Sequence, residues 1–370
     1  MGAALGCPAK TNYFFIIKMI QNQEIYSENR KINKQEIENK SIFLESKPRR
    51  LMLVLTSKCN LSCIMCDRKG NNYSLSEESI KGIIRFFPYL DSIMWQGGEV
   101  FIVDYFKEFF QEAMRYPQLV QEINTNGLLI DNEWVNLLQK ANTRLIFSID
   151  STEKEVYEHI RKGAKFENLM NNINLLNEIK QDAKDLKITK TINIVIMRSN
   201  YKLLDKFIDF ALKYKFSGLN FLKISGNACP QENIFQPIDA EALNYLRKEF
   251  PGVIEKCRGL NITISHELSS IICEREDALR EAPQMDKENK LFCLMPWVSL
   301  FIDGSQNGMV YPECLCRRPI GNIFKHTLEE IWNNNNVQNY RKRIVNGNLE
   351  NWCNNHCVNG SANKDFLQNW

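Results

Sequence analysis

Two periods of apolar residues alternate along residues 51–225. A short apolar run, LMLVLT (51–56), ends at a polar loop and predicts a strand. Residues 76–87 (SEESIKGIIRFF) open with Ser, carry Glu in the first turn and then repeat apolar residues at helical spacing. SIMWQ (92–96), LVQEIN (119–124), TRLIFSID (143–150), TINIVIM (191–197) and LNFLKIS (219–225) read as further strands. Helical patterns separate them over roughly 102–115, 131–140, 166–180 and 201–215. Six strands alternating with helices predict parallel βαβ units with right-handed crossovers. The expected fold class is α/β, a partial (β/α)6 TIM-like barrel rather than a closed eightfold one. Residues 1–50 read as an N-terminal segment, 51–228 as the barrel, 229–290 as a connector with a helix over about 239–256, and 291–370 as a separate Cys-rich unit.

In such folds chemistry sits at the C-terminal ends of the strands. The polar groups there are Cys59 to Cys66, Gln96-Gly97-Gly98-Glu99, Asn124-Thr125-Asn126-Gly127 and Ser148-Ile149-Asp150. They are expected to face one mouth.

Composition changes the picture at one point only. A charged fraction of 25% and a net charge of +3 describe an ordinary globular chain, and the body beyond residue 50 is nearly neutral. That balance argues against a nucleic-acid partner held by phosphate contacts and against a membrane bundle. The unusual number is twelve cysteines, three at 59, 63 and 66 and five between 293 and 357. With no secretory signal visible, a reducing cytoplasm is expected, where clustered cysteines point to metal.

The first cluster reads Cys59-Asn-Leu-Ser-Cys63-Ile-Met-Cys66, immediately after the first strand. Three thiolates on one loop can bind three irons of a 4Fe–4S cube. The fourth iron then lacks a protein ligand and is open to a small molecule. A structural zinc site would want a fourth ligand, and the four histidines (159, 266, 326, 356) lie elsewhere.

C-x3-C-x2-C after strand one of a partial barrel resembles the radical S-adenosylmethionine (SAM) superfamily. The resemblance implies that the open iron binds SAM, that an electron from the cluster cleaves it, and that the resulting radical abstracts a substrate hydrogen. Cys59, Cys63 and Cys66 match the three ligands. Met65 stands where the family often has an aromatic residue near adenine. Gly97-Gly98-Glu99 matches the family's GGE motif, which meets the SAM amino group. Ser148 and Asp150 match positions that hold the ribose hydroxyls, with a helix N-cap as the plain structural alternative. Arg161 resembles a family arginine near the SAM carboxylate, with an exposed helical Arg as its alternative.

The C-terminal unit carries Cys293, Cys314, Cys316, Cys353 and Cys357, with GNI at 321–323 and LEEIW at 328–332. Four cysteines would complete a second 4Fe–4S cluster or, from the residues alone, a zinc site. The order resembles the SPASM/Twitch auxiliary domains of radical SAM enzymes. No cysteine lies between 316 and 353, so the middle block of a full SPASM pattern is missing. The resemblance then implies one auxiliary 4Fe–4S cluster, held by Cys293, Cys314, Cys353 and Cys357, with Cys316 competing with Cys314.

Such enzymes mostly act on ribosomal peptides or proteins, by crosslinking, epimerisation or oxidation, and a peptide is the expected substrate. A sugar or aminoglycoside-like small molecule is the second choice. A non-catalytic iron–sulfur electron carrier or sensor is the competing class, and a nucleotide substrate would want a basic mouth. A flavodoxin- or ferredoxin-type electron donor is implied. Cys229, just after strand six, reads as a small buried hydrophobe or, near the mouth, as a hydrogen donor.

Overall fold

The computed structural model describes residues 9–67, 72–178, 188–224, 226, 228–268, 293–304, 307–314, 316 and 318–347, with side chains from residue 20 onward. The six expected strands are β1 (Arg50–Thr56), β2 (Ser92–Gly97), β3 (Val120–Thr125), β4 (Thr143–Ser148), β5 (Ile188–Ile196) and β6 (Gly218–Lys223). Four more strands join them: β7 (Thr263–His266), β8 (Ser299–Asp303), β9 (Met309–Tyr311) and β10 (Gly321–Asn322). Among the described residues they form one open sheet in the order β10-β9-β8-β1-β2-β3-β4-β5-β6-β7. The run from β8 to β7 is parallel throughout, and β9 and β10 add antiparallel edges.

The sheet is therefore wider than six strands. The connector supplies β7, four residues against β6 that alternate between exposed and half-buried positions. The C-terminal unit supplies β8, which is apolar but lies more than 240 residues from its partner β1 in sequence. Local periodicity carries no information about such a distant pairing.

The outer face is covered by helices. They are α1 (Ala9–Glu38), α2 (Glu77–Ile84), α3 (Phe106–Ala113), α4 (Asn132–Leu138), α5 (Lys154–Ile160), α6 (Phe166–Asn177), α7 (Leu204–Lys213) and α8 (Ala240–Gly259). The C-terminal part adds α9 (Met295–Val298), α10 (Leu328–Trp332) and α11 (Asn335–Val345). Their starts follow side-chain chemistry. Ser76 accepts from Ser79 N–H, Asp131 from Trp134 N–H and Asp239 from Ala242 N–H, each satisfying a donor that the first turn leaves unpaired.

Strand side chains divide by parity. Leu51, Leu53, Trp95, Ile123, Phe147, Ile194 and Phe221 face the helices and belong to one continuous core. The opposite face carries a small apolar floor of Met52, Val54 and Phe301, packed by Met94 and Tyr311. Beyond that floor, the same parity places half-buried Gln96, Asn124, Ser148, Asn193 and Asn220 on this inner face, toward the C-terminal strand ends.

The C-terminal unit is locked to the barrel by polar groups. Asn33 on α1 donates to Trp297 O at 2.7 Å and to Ser46 Oγ at 3.0 Å. Arg341 on α11 donates to Pro296 O, Ile42 O and Trp332 O, at 2.9 to 3.0 Å. These buried groups seat β8 beside β1.

Candidate functional site

The segment after β1 carries the first three cysteines. It is held by the end of α5 and the chain just after it: Ser62 N–H donates to Lys162 O and Ile64 N–H to Ile160 O, both at 2.9 Å. Cys59 is exposed, Cys63 buried and Cys66 half-buried. Leu61 N–H points at Cys59 Sγ at 3.4 Å. Burial pushes the Cys63 thiol up to about 11, with Arg161 pulling the other way. Met65 is half-buried against the core and against a second small cluster of Ile160, Met197, Ile224 and Cys229. Cys229 is 3% exposed within that cluster, which is the packing reading.

The β2 end meets this loop through two glycines. A Cβ on Gly97 (φ +152°) would lie 2.3 Å from Thr56 O, and one on Gly98 would lie 2.1 Å from Lys58 O. Gly98 N–H donates to Thr56 O at 2.6 Å and Glu99 N–H to Lys58 O at 2.9 Å. Only glycine permits this approach.

Glu99 is fully buried and turned inward. Its carboxylate accepts from Thr125 Oγ1 at 2.9 Å, Asn126 N–H at 2.8 Å and Phe101 N–H at 3.4 Å. Burial still pushes its carboxyl up to about 7. Asn126 donates through Nδ2 to Asn60 Oδ1 at 2.8 Å, which ties the β3 end to the cysteine loop.

The β4 end separates its two expected residues. Ser148 is on the inner face, in register with Asn193. Asp150 is fully buried, accepts from Val195 N–H at 2.8 Å and pairs with Arg161 Nη2 at 2.6 Å. The helix-cap alternative does not apply to either residue, because Glu153 is the N-cap of α5. Nor is Arg161 an exposed helical residue: its side chain is 8% exposed, and Nη1 lies 3.8 Å from Cys63 Sγ.

Two further groups on the inner face were not singled out from sequence, Asn193 and Asn220. Asn220 Nδ2 donates to Asn193 Oδ1 at 2.8 Å. The signal was present, an asparagine at an inward position in each of two apolar runs.

In the C-terminal unit, Cys293 and Cys316 are half-buried against the main core. Cys314 is exposed, with its thiol 3.1 Å from Glu313 Oε1. Cys353 and Cys357 lie outside the described residues.

No three His, Cys, Asp or Glu side chains converge on a single-ion site among the described residues. A cubane does not require that, since each thiolate takes a different iron. The three soft thiols on one anchored loop, beside a buried guanidinium, fit such a group.

A family profile described as the radical SAM superfamily matches residues 53–211, and one described as the SPASM iron–sulfur cluster-binding domain matches 293–358. The chain belongs to the radical SAM superfamily. It is a radical SAM enzyme with a C-terminal SPASM domain, and the two domains imply a 4Fe–4S cluster, SAM and an auxiliary iron–sulfur cluster. The cysteine-type anaerobic sulfatase-maturating enzyme of Clostridium novyi (strain NT) is 23% identical over 321 residues, 77% of this chain and 79% of that protein. The GTP 3′,8-cyclase of Aquifex aeolicus (strain VF5) is 25% identical over 214 residues, 54% of this chain and 64% of that protein. Among solved structures, Streptococcus suis SuiB bound to precursor peptide SuiA matches with a TM-score of 0.59 at 17% identity. That match covers 92% of this chain and 73% of SuiB, and shares the fold. No described helix of this radical SAM enzyme is long and apolar enough to cross a membrane.

Proposed function

We propose that this radical SAM enzyme abstracts a hydrogen atom from a peptide or protein bound on the inner face of its barrel. Cys59, Cys63 and Cys66 hold the SAM-binding cluster, which when bound supplies the electron for reductive cleavage of SAM. Gly97 and Gly98 offer backbone groups to the SAM amino group, Met65 packs near adenine, and Ser148 offers a hydroxyl to the ribose. Glu99 acts from behind, by fixing Thr125 and Asn126. Cys293, Cys353 and Cys357, with Cys314 or the core-packed Cys316, hold the auxiliary cluster. A flavodoxin- or ferredoxin-type protein delivers the electrons.

The observation that carries the peptide reading is the amide lining. Asn124 Nδ2 donates to Gln96 Oε1 at 3.2 Å, while Asn124 Oδ1 is buried without a donor. An N–H or O–H donor is the matching group once the acceptor is opened to a substrate, and a peptide offers an N–H at nearly every residue. A nucleoside triphosphate asks instead for cations. The arginines at inner-face positions, Arg50 and Arg144, both lie near the opposite strand ends, and Arg144 is paired with Glu122 at 3.3 Å. The sulfatase-maturating relative and the precursor peptide bound to SuiB agree with a peptide substrate. The cyclase relatives favour a nucleotide.

The experiment sets the two against each other. Anaerobically reconstituted enzyme is given SAM and dithionite, with either a synthetic peptide library or GTP, and 5′-deoxyadenosine is quantified. Stimulation by peptides and not by GTP is expected. Stimulation by GTP alone would replace the peptide reading with a nucleotide one. Replacing Cys59, Cys63 and Cys66 with Ala is expected to remove about four irons per chain and all SAM cleavage.

A further inference from the structure

Arg161 and Asp150 stand where SAM contacts are expected, yet neither is presented to a ligand. Asp150 is fully buried. One carboxylate oxygen accepts from Val195 N–H at 2.8 Å, and the other faces Arg161 Nη2 at 2.6 Å. The Asp150 backbone is fixed as well, since Asn200 Nδ2 donates to its carbonyl at 2.7 Å. Reaching a ribose hydroxyl would mean leaving β5 and stranding a buried guanidinium. Arg161 is equally committed. Nη2 is on the carboxylate, Nη1 is 3.8 Å from Cys63 Sγ, and Nε is buried without a partner. The backbone of the same corner holds the cysteine loop, because Ile160 O and Lys162 O take the Ile64 and Ser62 N–H groups.

We infer that Arg161 is a positioning residue for the cluster: Asp150 aims its guanidinium at the Cys63 sulfur, where its charge and N–H set how readily the cluster accepts an electron. This rests on the reading that Cys59, Cys63 and Cys66 bind the iron. Donors to cluster sulfurs and nearby positive charge stabilise the reduced, more negative cluster, and groups behind a ligand tune it through the ligand. Asp150 has two opposed effects. It orients the arginine, and its own negative charge holds back part of the arginine's pull. The two residues are therefore expected to act on the potential with opposite sign.

The test is an EPR-monitored redox titration of the full-length, anaerobically reconstituted enzyme, following the signal that changes when SAM is added. Iron content and SAM affinity are measured in parallel. Arg161→Gln is expected to lower the midpoint potential, so that at fixed potential the ratio of reduced to oxidised cluster falls about tenfold, which is 59 mV for one electron. Asp150→Asn keeps an acceptor for Val195 N–H, removes the negative charge and is expected to raise the potential. Arg161→Lys keeps the charge with fewer contacts and is expected to fall between Arg161→Gln and wild type. Opposite shifts at wild-type iron content support the inference. Unchanged potentials, shifts of the same sign, or a tenfold loss of SAM affinity in Arg161→Gln at unchanged potential overturn it. If Arg161→Gln does not hold iron, Asp150→Asn decides alone: a raised potential supports the inference and an unchanged one overturns it. If the wild-type triad binds no iron, the reading beneath it has failed as well.

Discussion

Glu99 shows how the neighbours of a motif residue decide which way its side chain turns. GGE was legible in the sequence, and the glycines stand where that pattern places them, against Thr56 O and Lys58 O. The acid was expected to meet a ligand, but its oxygens are occupied by Thr125, Asn126 and Phe101. Sequence spacing fixes which residue follows the glycines. It does not fix which way the side chain turns, because that depends on donors arriving from β3. The burial has a measurable consequence. A carboxyl pushed from its usual 4.5 up to about 7 binds a proton more tightly in the folded protein than in the unfolded chain. Its contribution to stability is fully present below about 4.5 and is lost as pH rises through 7, a difference of roughly 3 kcal/mol. Urea unfolding of the apoprotein from pH 5 to 8 should show this fall, and Glu99→Gln should flatten it. An unchanged slope in Glu99→Gln would assign the effect to another group.

At the scale of elements, the strands β1 to β6 and most of the helices between them follow the alternation of apolar runs closely, since each buries one face against a single core. The pieces that escaped were the helix α1, thirty residues without an apolar stripe in a region read only as an N-terminal segment, and elements that were short or depended on distant partners. The helix α5 is seven residues long, and β7 is four. The inner-face pair Asn193 and Asn220 belongs here too. It was hidden because an inward polar residue in an apolar strand has no meaning until the opposite face is known to be solvated. The junction of β2 with the cysteine loop yields a paired prediction. In Gly98→Ala, the new methyl meets the Lys58 carbonyl, which is backbone and adjoins Cys59. Overpacking of this kind costs about 1–3 kcal/mol. The variant should unfold at lower urea concentration and bind less iron per chain. Gly82→Ala in α2 meets nothing within 4 Å. It should be more stable by about 0.5–1 kcal/mol with unchanged iron, because glycine weakens a helix interior. Equal iron loss in both would show that the close approach at Gly98 does not shape the loop.

At the scale of the whole molecule, the question is what couples the two cysteine clusters. The first lies after β1, and Cys293 of the second precedes α9 and β8, the strand paired with β1. The placement of Cys293 relative to the first cysteine loop therefore depends on how firmly β8 is seated, and the seat is polar. Trp297 Nε1 donates to Ser41 O at 2.7 Å and Trp332 Nε1 to Ser46 O at 2.6 Å, so the segment after α1 is clasped by the C-terminal part. Arg341 is the centre of that clasp. It is fully buried, lies 4.8 Å from the Trp332 ring centre and donates to carbonyls from three separate segments. Removing the guanidinium takes a donor from all three carbonyls at once, and each orphaned buried acceptor costs about 1–3 kcal/mol. Arg341→Ala is therefore expected to lower stability by several kcal/mol. Arg341→Lys should recover only part, because an ammonium lacks the planar fork that reaches diverging acceptors. The loss should be uneven. Hydrogen exchange should rise first at 42–46, 295–303 and 328–345, while the amides of β2 to β5 stay protected, since those strands rest on the helix-covered core. Uniform exchange across the sheet would instead mean that the C-terminal unit and the barrel unfold as one cooperative body, with β8 as integral to it as β1.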